Sequence, residues 1–130
     1  MKYFALALLF TFSFFGCQDD IQTSNPTLQG LQHGDFRWRS TSRSATVDAL
    51  GQLTITGTDG YGTMTIMLPE LTIGTYILGK DKAPTITFIE ENTIYSTQNN
   101  GEEYPVYLSD GRVEIEEINA ETKMLKGAFY

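Results

Sequence analysis

From residue 35 onward, apolar and polar positions alternate one by one in short runs. In Gln52-Leu53-Thr54-Ile55-Thr56 the apolar side chains fall on one face. Met64-Thr65-Ile66-Met67-Leu68 repeats the pattern with Met64, Ile66 and Leu68 inward, and Thr85-Ile86-Thr87-Phe88 repeats it again. Arg112-Val113-Glu114-Ile115-Glu116 is the clearest case, with Val113 and Ile115 dry and the carboxylates wet. Period-two alternation with one dry face is the pattern of an antiparallel sheet packed on a core. Thr, Ile, Val, Tyr and Phe dominate these runs and suit a pleated surface. Asp59-Gly60, Asn99-Asn100-Gly101 and Asp110-Gly111 read as hairpin turns, because glycine and asparagine accept the positive φ such turns demand. Gly51, Gly62 and Gly74 sit at other run edges, and Pro69 closes a strand because it has no N–H to give the ladder. Glu114 to Thr122 is the best helix candidate, but Val113 and Ile115 alternate and Asn119-Ala120-Glu121-Thr122 reads as a turn. Met124 to Tyr130 reads as a last strand, with Leu125 and Phe129 inward. Runs spaced about 8–12 residues apart predict an all-β domain, an antiparallel β-sandwich or flattened barrel of about 8–9 strands.

The N-terminal part breaks this rhythm. Lys2 precedes a predominantly apolar run from Tyr3 to Phe15, then Gly16-Cys17 and the polar Gln18-Asp19-Asp20. The run is shorter than the roughly 20 residues of a spanning helix. It fits the apolar centre of a cleaved secretory signal. A buried N-terminal helix or strand is the alternative, but the run has no polar face to offer water. From Gln18 to Gly34 the chain is polar, with Asn25-Pro26 and several glutamines, and reads as a flexible tether. An ordered first strand around Leu28 to Leu31 is the other reading. The expected organisation is therefore a signal peptide over 1–16, a lipidated cysteine and tether over 17–34, and an all-β domain over 35–130.

Gly16-Cys17 behind the apolar run resembles the lipobox of a bacterial lipoprotein. The family pattern is Leu, a small residue, Gly or Ala, then Cys; here Phe14 and Phe15 occupy the first two places. The resemblance implies cleavage between Gly16 and Cys17 and a diacylglycerol thioether on Cys17. Ordinary signal cleavage would want small residues at both −1 and −3, and Phe14 fills the second. Cys17 is the only cysteine, so no intramolecular disulfide can form and the domain relies on its core. Two or more fatty chains, at about 0.8 kcal/mol per buried methylene, would hold it to the bilayer durably. Gln18-Asp19-Asp20 is similar to the acidic signal that directs such lipoproteins to the outer face.

Charge narrows the partners. The whole chain carries a formal −7, and losing Lys2 with the leader leaves 8 basic against 16 acidic side chains. An acidic domain repels phosphate backbones, which excludes nucleic acid as the expected partner. The same repulsion from an anionic bilayer suits a body held off the membrane.

Most catalytic constellations are missing. His33 is the only histidine and falls in the tether, so neither a His-rich zinc site nor a Ser-His-Asp triad on a rigid scaffold is written here. Gly57-Thr58-Asp59-Gly60-Tyr61-Gly62 is glycine-rich but lacks Lys, and reads as a hairpin loop rather than a phosphate cradle. Glu114 with Glu116, and the loop acids Glu90, Glu91, Glu102, Glu103 and Asp110, could in principle supply a glycosidase-like carboxylate pair. They fit solvated strand faces, and no twelve-residue calcium loop is present. No catalytic residue, metal or cofactor is assigned. Aromatic residues are the remaining lead, since a ring face stacks on the apolar face of a sugar. Trp38 and Tyr76 read as core or cross-strand packing. Tyr61, Tyr104 and Tyr107 are the candidate ligand contacts, with Tyr104-Pro105-Val106-Tyr107 beside Glu102 and Glu103 as a platform.

Several strand and turn segments together carry a wider resemblance. They are an aromatic strand with Trp38, then Gly51 to Gly57, Met64 to Pro69 and Gly74-Thr75-Tyr76. Tyr95-Ser96-Thr97, Gly111 to Ile115 and Gly127-Ala128-Phe129 complete the order. From about Phe36 to Tyr130 the chain resembles a family of small β-rich lipoproteins from Bacteroidetes, known as a domain of unknown function. These motifs specify fold and transfer no catalytic residue. The expected function is a non-enzymatic interaction module, binding protein or glycan, held by lipid at Cys17 to the outer membrane of the cell envelope and displayed on the surface. A structural component of an outer-membrane complex is the alternative, and a glycan-active enzyme the third.

Overall fold

The computed structural model describes residues 27–130 apart from His33, Glu103 and Leu108. Gly16, Cys17, Gln18, Asp19, Asp20 and His33 therefore lie outside the described residues. Among those described, the fold is all-β with ten strands in antiparallel sheets. They are β1 (Gln29–Gln32), β2 (Phe36–Arg39), β3 (Ser42–Val47), β4 (Leu53–Thr58) and β5 (Gly62–Leu68). β6 (Gly74–Gly79), β7 (Thr85–Glu90), β8 (Thr93–Ser96), β9 (Asp110–Asn119) and β10 (Met124–Phe129) follow.

One sheet runs β3-β4-β5-β7-β8 and the other β10-β9-β6, with β1-β2 as a separate hairpin. The chain crosses to the second sheet for β6, returns for β7 and β8, and crosses again for β9 and β10. The two sheets meet as a β-sandwich over one core. Leu53, Met64, Ile66 and Leu68 come from the first sheet, and Tyr76, Leu78, Val113 and Ile115 from the second. Trp38 enters the core from the hairpin, its ring edge-on to Phe88 at 5.6 Å. Met64, Ile66, Leu68, Val113 and Ile115 are the inward positions that alternation predicts.

β9 carries an irregularity that alternation alone does not predict. Lys126 pairs with Glu117 and Gly127 with Ile115, so Glu116 is an extra residue opposite β10. This bulge resets the parity of the strand. Val113 and Ile115 before it and Ile118 after it can then all pack on the core, while Glu116 and Glu117 are both exposed.

Three expectations are corrected. Residues 29–32, assigned to the tether, form β1, in line with the ordered-strand alternative. Leu28 packs over Gly57 and the Phe129 ring lies 3.1 Å from where a Gly30 Cβ would sit, contacts made with residues far along the chain. Asp110-Gly111 is not a turn but the start of β9. Gly111 has φ 149°, and a Cβ there would collide with the Tyr130 carbonyl, so its glycine serves a close approach. Asn99-Asn100-Gly101 does hold a positive φ, 85° at Gly101, but in the crossing from β8 to β9 rather than in a hairpin. Asp59-Gly60 is a hairpin turn as expected, between β4 and β5, with Gly60 at φ 94°.

Candidate functional site

The recess of interest lies against β8, one of the two edge strands of the larger sheet. β7 and β8 are joined by Glu91-Asn92, a two-residue turn in which Glu91 takes a left-handed φ of 51°. The turn brings Asn92 to the recess beside Thr93, Ile94 and Ser96 of β8. The crossing to β9 folds back over this edge and supplies Asn99, Tyr104 and Tyr107. The cavity is about 250 Å³ and open to solvent. The described residues that line it offer amide, hydroxyl, aliphatic and aromatic groups, with no charged side chain among them.

Two residues hold the crossing in place. The buried Asn99 donates its side-chain amide to the Pro105 carbonyl at 3.0 Å and accepts from the Gly101 N–H at 2.8 Å. The Tyr107 hydroxyl accepts from the Ser96 N–H and donates to the Ser96 carbonyl at 3.1 Å, closing the open ladder of β8 as a missing strand would. The Tyr107 ring continues a row of aromatic contacts from the core: Trp38 to Phe88, Phe88 to Tyr95 at 6.4 Å, and Tyr95 to Tyr107 at 6.2 Å. This aromatic row thus runs from the core to Tyr107 in the recess lining. Tyr104 stands at the rim, 90 % exposed.

Of the three aromatic candidates, the structure brings Tyr104 and Tyr107 together. Tyr61 is 85 % exposed on the β4–β5 turn and does not line the recess. It lies at the same end of the sheet, because the adjacent Gly62 pairs with Glu90, just before the Glu91-Asn92 turn. Asn92, Thr93, Ile94, Ser96 and Asn99 are the recess residues that the sequence reading missed. Asn99 was legible only as a turn former, and nothing in its local sequence marks it as buried.

The β4–β5 turn is tightly made. The Asp59 carboxylate accepts from the backbone N–H of Tyr61 at 2.9 Å and of Gly62 at 2.7 Å. Those two bonds hold the Asp59 pKa below the ordinary carboxylate value, Gly62 most strongly. The buried Trp38 indole N–H has no partner within hydrogen-bonding geometry. Its dipole still lies close enough to assist the Asp59 carboxylate weakly.

Trp38 and Tyr76 are core residues, and the Tyr76 hydroxyl ties down the turn before β6 through Thr72 and the Glu70 carbonyl. Glu114 contacts Arg112 at 2.6 Å and Glu116 contacts Lys126 at 3.4 Å, both on the outer face. Glu102 accepts from the Asn100 side chain and does not line the recess; Glu103 lies outside the described residues. Among the described residues no three His, Cys, Asp or Glu side chains converge in a way that could hold a metal. Nor is any helix among them long and apolar enough to cross a membrane.

A family model described as a domain of unknown function, DUF6252, matches residues 24–130. The chain belongs to the DUF6252 family. The match begins before β1, so the hairpin is part of the family's domain. No curated protein and no solved structure gives a significant match.

Proposed function

We propose that this DUF6252 chain is a lipid-anchored protein of the cell envelope whose β-sandwich binds a neutral glycan at the Tyr104 recess. The single observation that carries the binding reading is a highly exposed aromatic ring, Tyr104, at the rim of a recess whose described lining is rich in amides and hydroxyls and carries no charge. An aromatic face with neighbouring amide and hydroxyl groups matches the apolar face and polar rim of a sugar ring. At about 250 Å³ the recess is smaller than most enclosed small-molecule sites, which start near 300 Å³. It would grip one edge of an extended chain. The net negative charge disfavours acidic polysaccharides. Among the described residues no carboxylate lines the recess, and Glu114 and Glu116 are engaged by Arg112 and Lys126, which supports binding over hydrolysis.

The expected result on a glycan array is binding of the processed protein to neutral oligosaccharides. Tyr104→Ala should weaken it about tenfold, the value of one lost stacking contact, with an unchanged melting temperature. No neutral glycan bound, or equal binding by the variant, would refute this reading.

A protein partner is the second reading, and β3 favours it. All six of its residues, Ser42–Val47, are exposed on a free sheet edge, where a partner strand could add. A purely structural place in an outer-membrane complex would use the same edge.

The anchor reading rests on the sequence, with cleavage between Gly16 and Cys17, lipid on Cys17 and Gln18-Asp19-Asp20 as the export signal of a Bacteroidetes-type surface lipoprotein. Radiolabelled palmitate is expected to enter the wild-type protein and not Cys17→Ala; equal labelling would overturn it. Protease added to intact cells should remove the domain if it is displayed outward.

A further inference from the structure

Net charge conceals a local basic excess. Between residues 27 and 47 the chain carries Arg37, Arg39 and Arg43 against a single acid, Asp35 in the β1–β2 turn. That is three of the four arginines of a chain whose formal charge is −7. All three are exposed, and none has an ion-pair partner among the described residues.

The hairpin arranges these charges. Trp38 points into the core, and Gly30, its partner across the ladder, lies on the Phe129 ring. Arg37 and Arg39 therefore share the outward face with their partners Leu31 and Gln29. Leu31 is 67 % exposed beside Arg37, and Phe36 is 64 % exposed at the hairpin tip. Arg43 pairs with Gly57, on the face where Leu28 and Ser40 cover that glycine, at the base of the hairpin. Unpaired arginines flanked by an exposed leucine and phenylalanine combine anion binding with an apolar insert.

We propose that the β1–β2 hairpin rests on a phospholipid surface, with Arg37, Arg39 and Arg43 on anionic headgroup phosphates and Leu31 and Phe36 in the interface. The inference rests on lipid attachment at Cys17. The dozen or so residues from Cys17 to Gln29 reach at most about 40 Å, so no other part of the domain is tied so closely to the bilayer. Such tethering gives an effective concentration near the millimolar range, so a few weak contacts suffice. The larger negative charge elsewhere turns the rest of the domain away from the membrane, and the domain is oriented rather than merely held off.

The test uses the full protein as processed by the cell. It is purified in detergent and reconstituted with vesicles of phosphatidylcholine alone, or of phosphatidylcholine mixed with phosphatidylglycerol. Flotation reads the anchor; backbone hydrogen exchange over residues 29–39 reads the hairpin, with β5 amides as the control for folding. Flotation with both vesicles is expected, with exchange over 29–39 slowed several-fold only on the anionic ones. An arginine near an anionic surface is worth about fivefold in partition, so Arg37→Glu with Arg39→Glu should abolish the protection. High salt should do the same. Flotation with both vesicles but identical exchange on them would overturn the hairpin inference, leaving the anchor intact and the arginines to an acidic macromolecule. Flotation on anionic vesicles alone, with the hairpin protected, would overturn the anchor and uphold the hairpin contact. Flotation on neither would overturn both.

Discussion

Asp59 shows how much one side chain organises here. Its carboxylate satisfies two backbone N–H groups that the turn would otherwise leave to water, and those bonds depress its pKa. A depressed pKa means that the folded chain binds the proton less readily than the unfolded chain. The stabilisation is thus fully present above the ordinary aspartate value, near pH 4. It is lost as pH falls through the lowered folded value. The melting temperature of wild type should exceed that of Asp59→Asn at neutral pH, and the gap should narrow below about pH 4. A gap that stays constant through acid titration would contradict this. The Asp59-Gly60 pair was legible because its chemistry is local. The buried, partnerless indole of Trp38 beneath it was not, since nothing in Arg37-Trp38-Arg39 says which core the ring enters.

The bulge between β9 and β10 is decisive at the scale of elements. It lets the strand present Val113, Ile115 and Ile118 to one core, and it depends on Gly127. A Cβ at Gly127 would run into the Glu114 carbonyl, a backbone atom that cannot step aside. A Cβ at Gly30 would meet the edge of the Phe129 ring at 3.1 Å, and a ring can shift by a few tenths of an ångström. Gly127→Ala should therefore cost about 2–3 kcal/mol and Gly30→Ala about 1 or less. Urea denaturation of the two variants measures the difference, and equal midpoints would refute it. From the sequence, β10 was expected as a strand with Leu125 and Phe129 inward, and both pack on the core. The extra residue at Glu116 was invisible, because two adjacent glutamates read the same in a bulge as at the end of a strand.

The whole molecule is one core between two sheets, with the β1–β2 hairpin spanning from Gly57 on one sheet to Phe129 on the other. The lone cysteine cannot cross-link the domain internally, so stability comes from burial. Leu53 and Leu68 are the largest side chains fully enclosed. Leu68→Ala should cost about 3 kcal/mol by lost transfer energy and cavity together. That is a large share of the roughly 5–15 kcal/mol a domain of this size has, and a thermal melt reads it directly. The strands β4, β5, β7, β9 and β10, the inward face of β5, β7 and β9, and the β4–β5 turn were readable along the chain. Each rests on neighbours two to four residues apart, and alternation and turn chemistry act over that distance. Folding in three dimensions settled which glycines yield to another strand, where the β8–β9 crossing lies and that residues 29–32 are a strand. It also brought Asn92, Asn99, Tyr104 and Tyr107 around one recess. Those outcomes depend on Phe129 meeting Gly30, Tyr130 meeting Gly111 and Tyr107 meeting Ser96. Such contacts join distant parts of the chain, and no local pattern of residues encodes their partners.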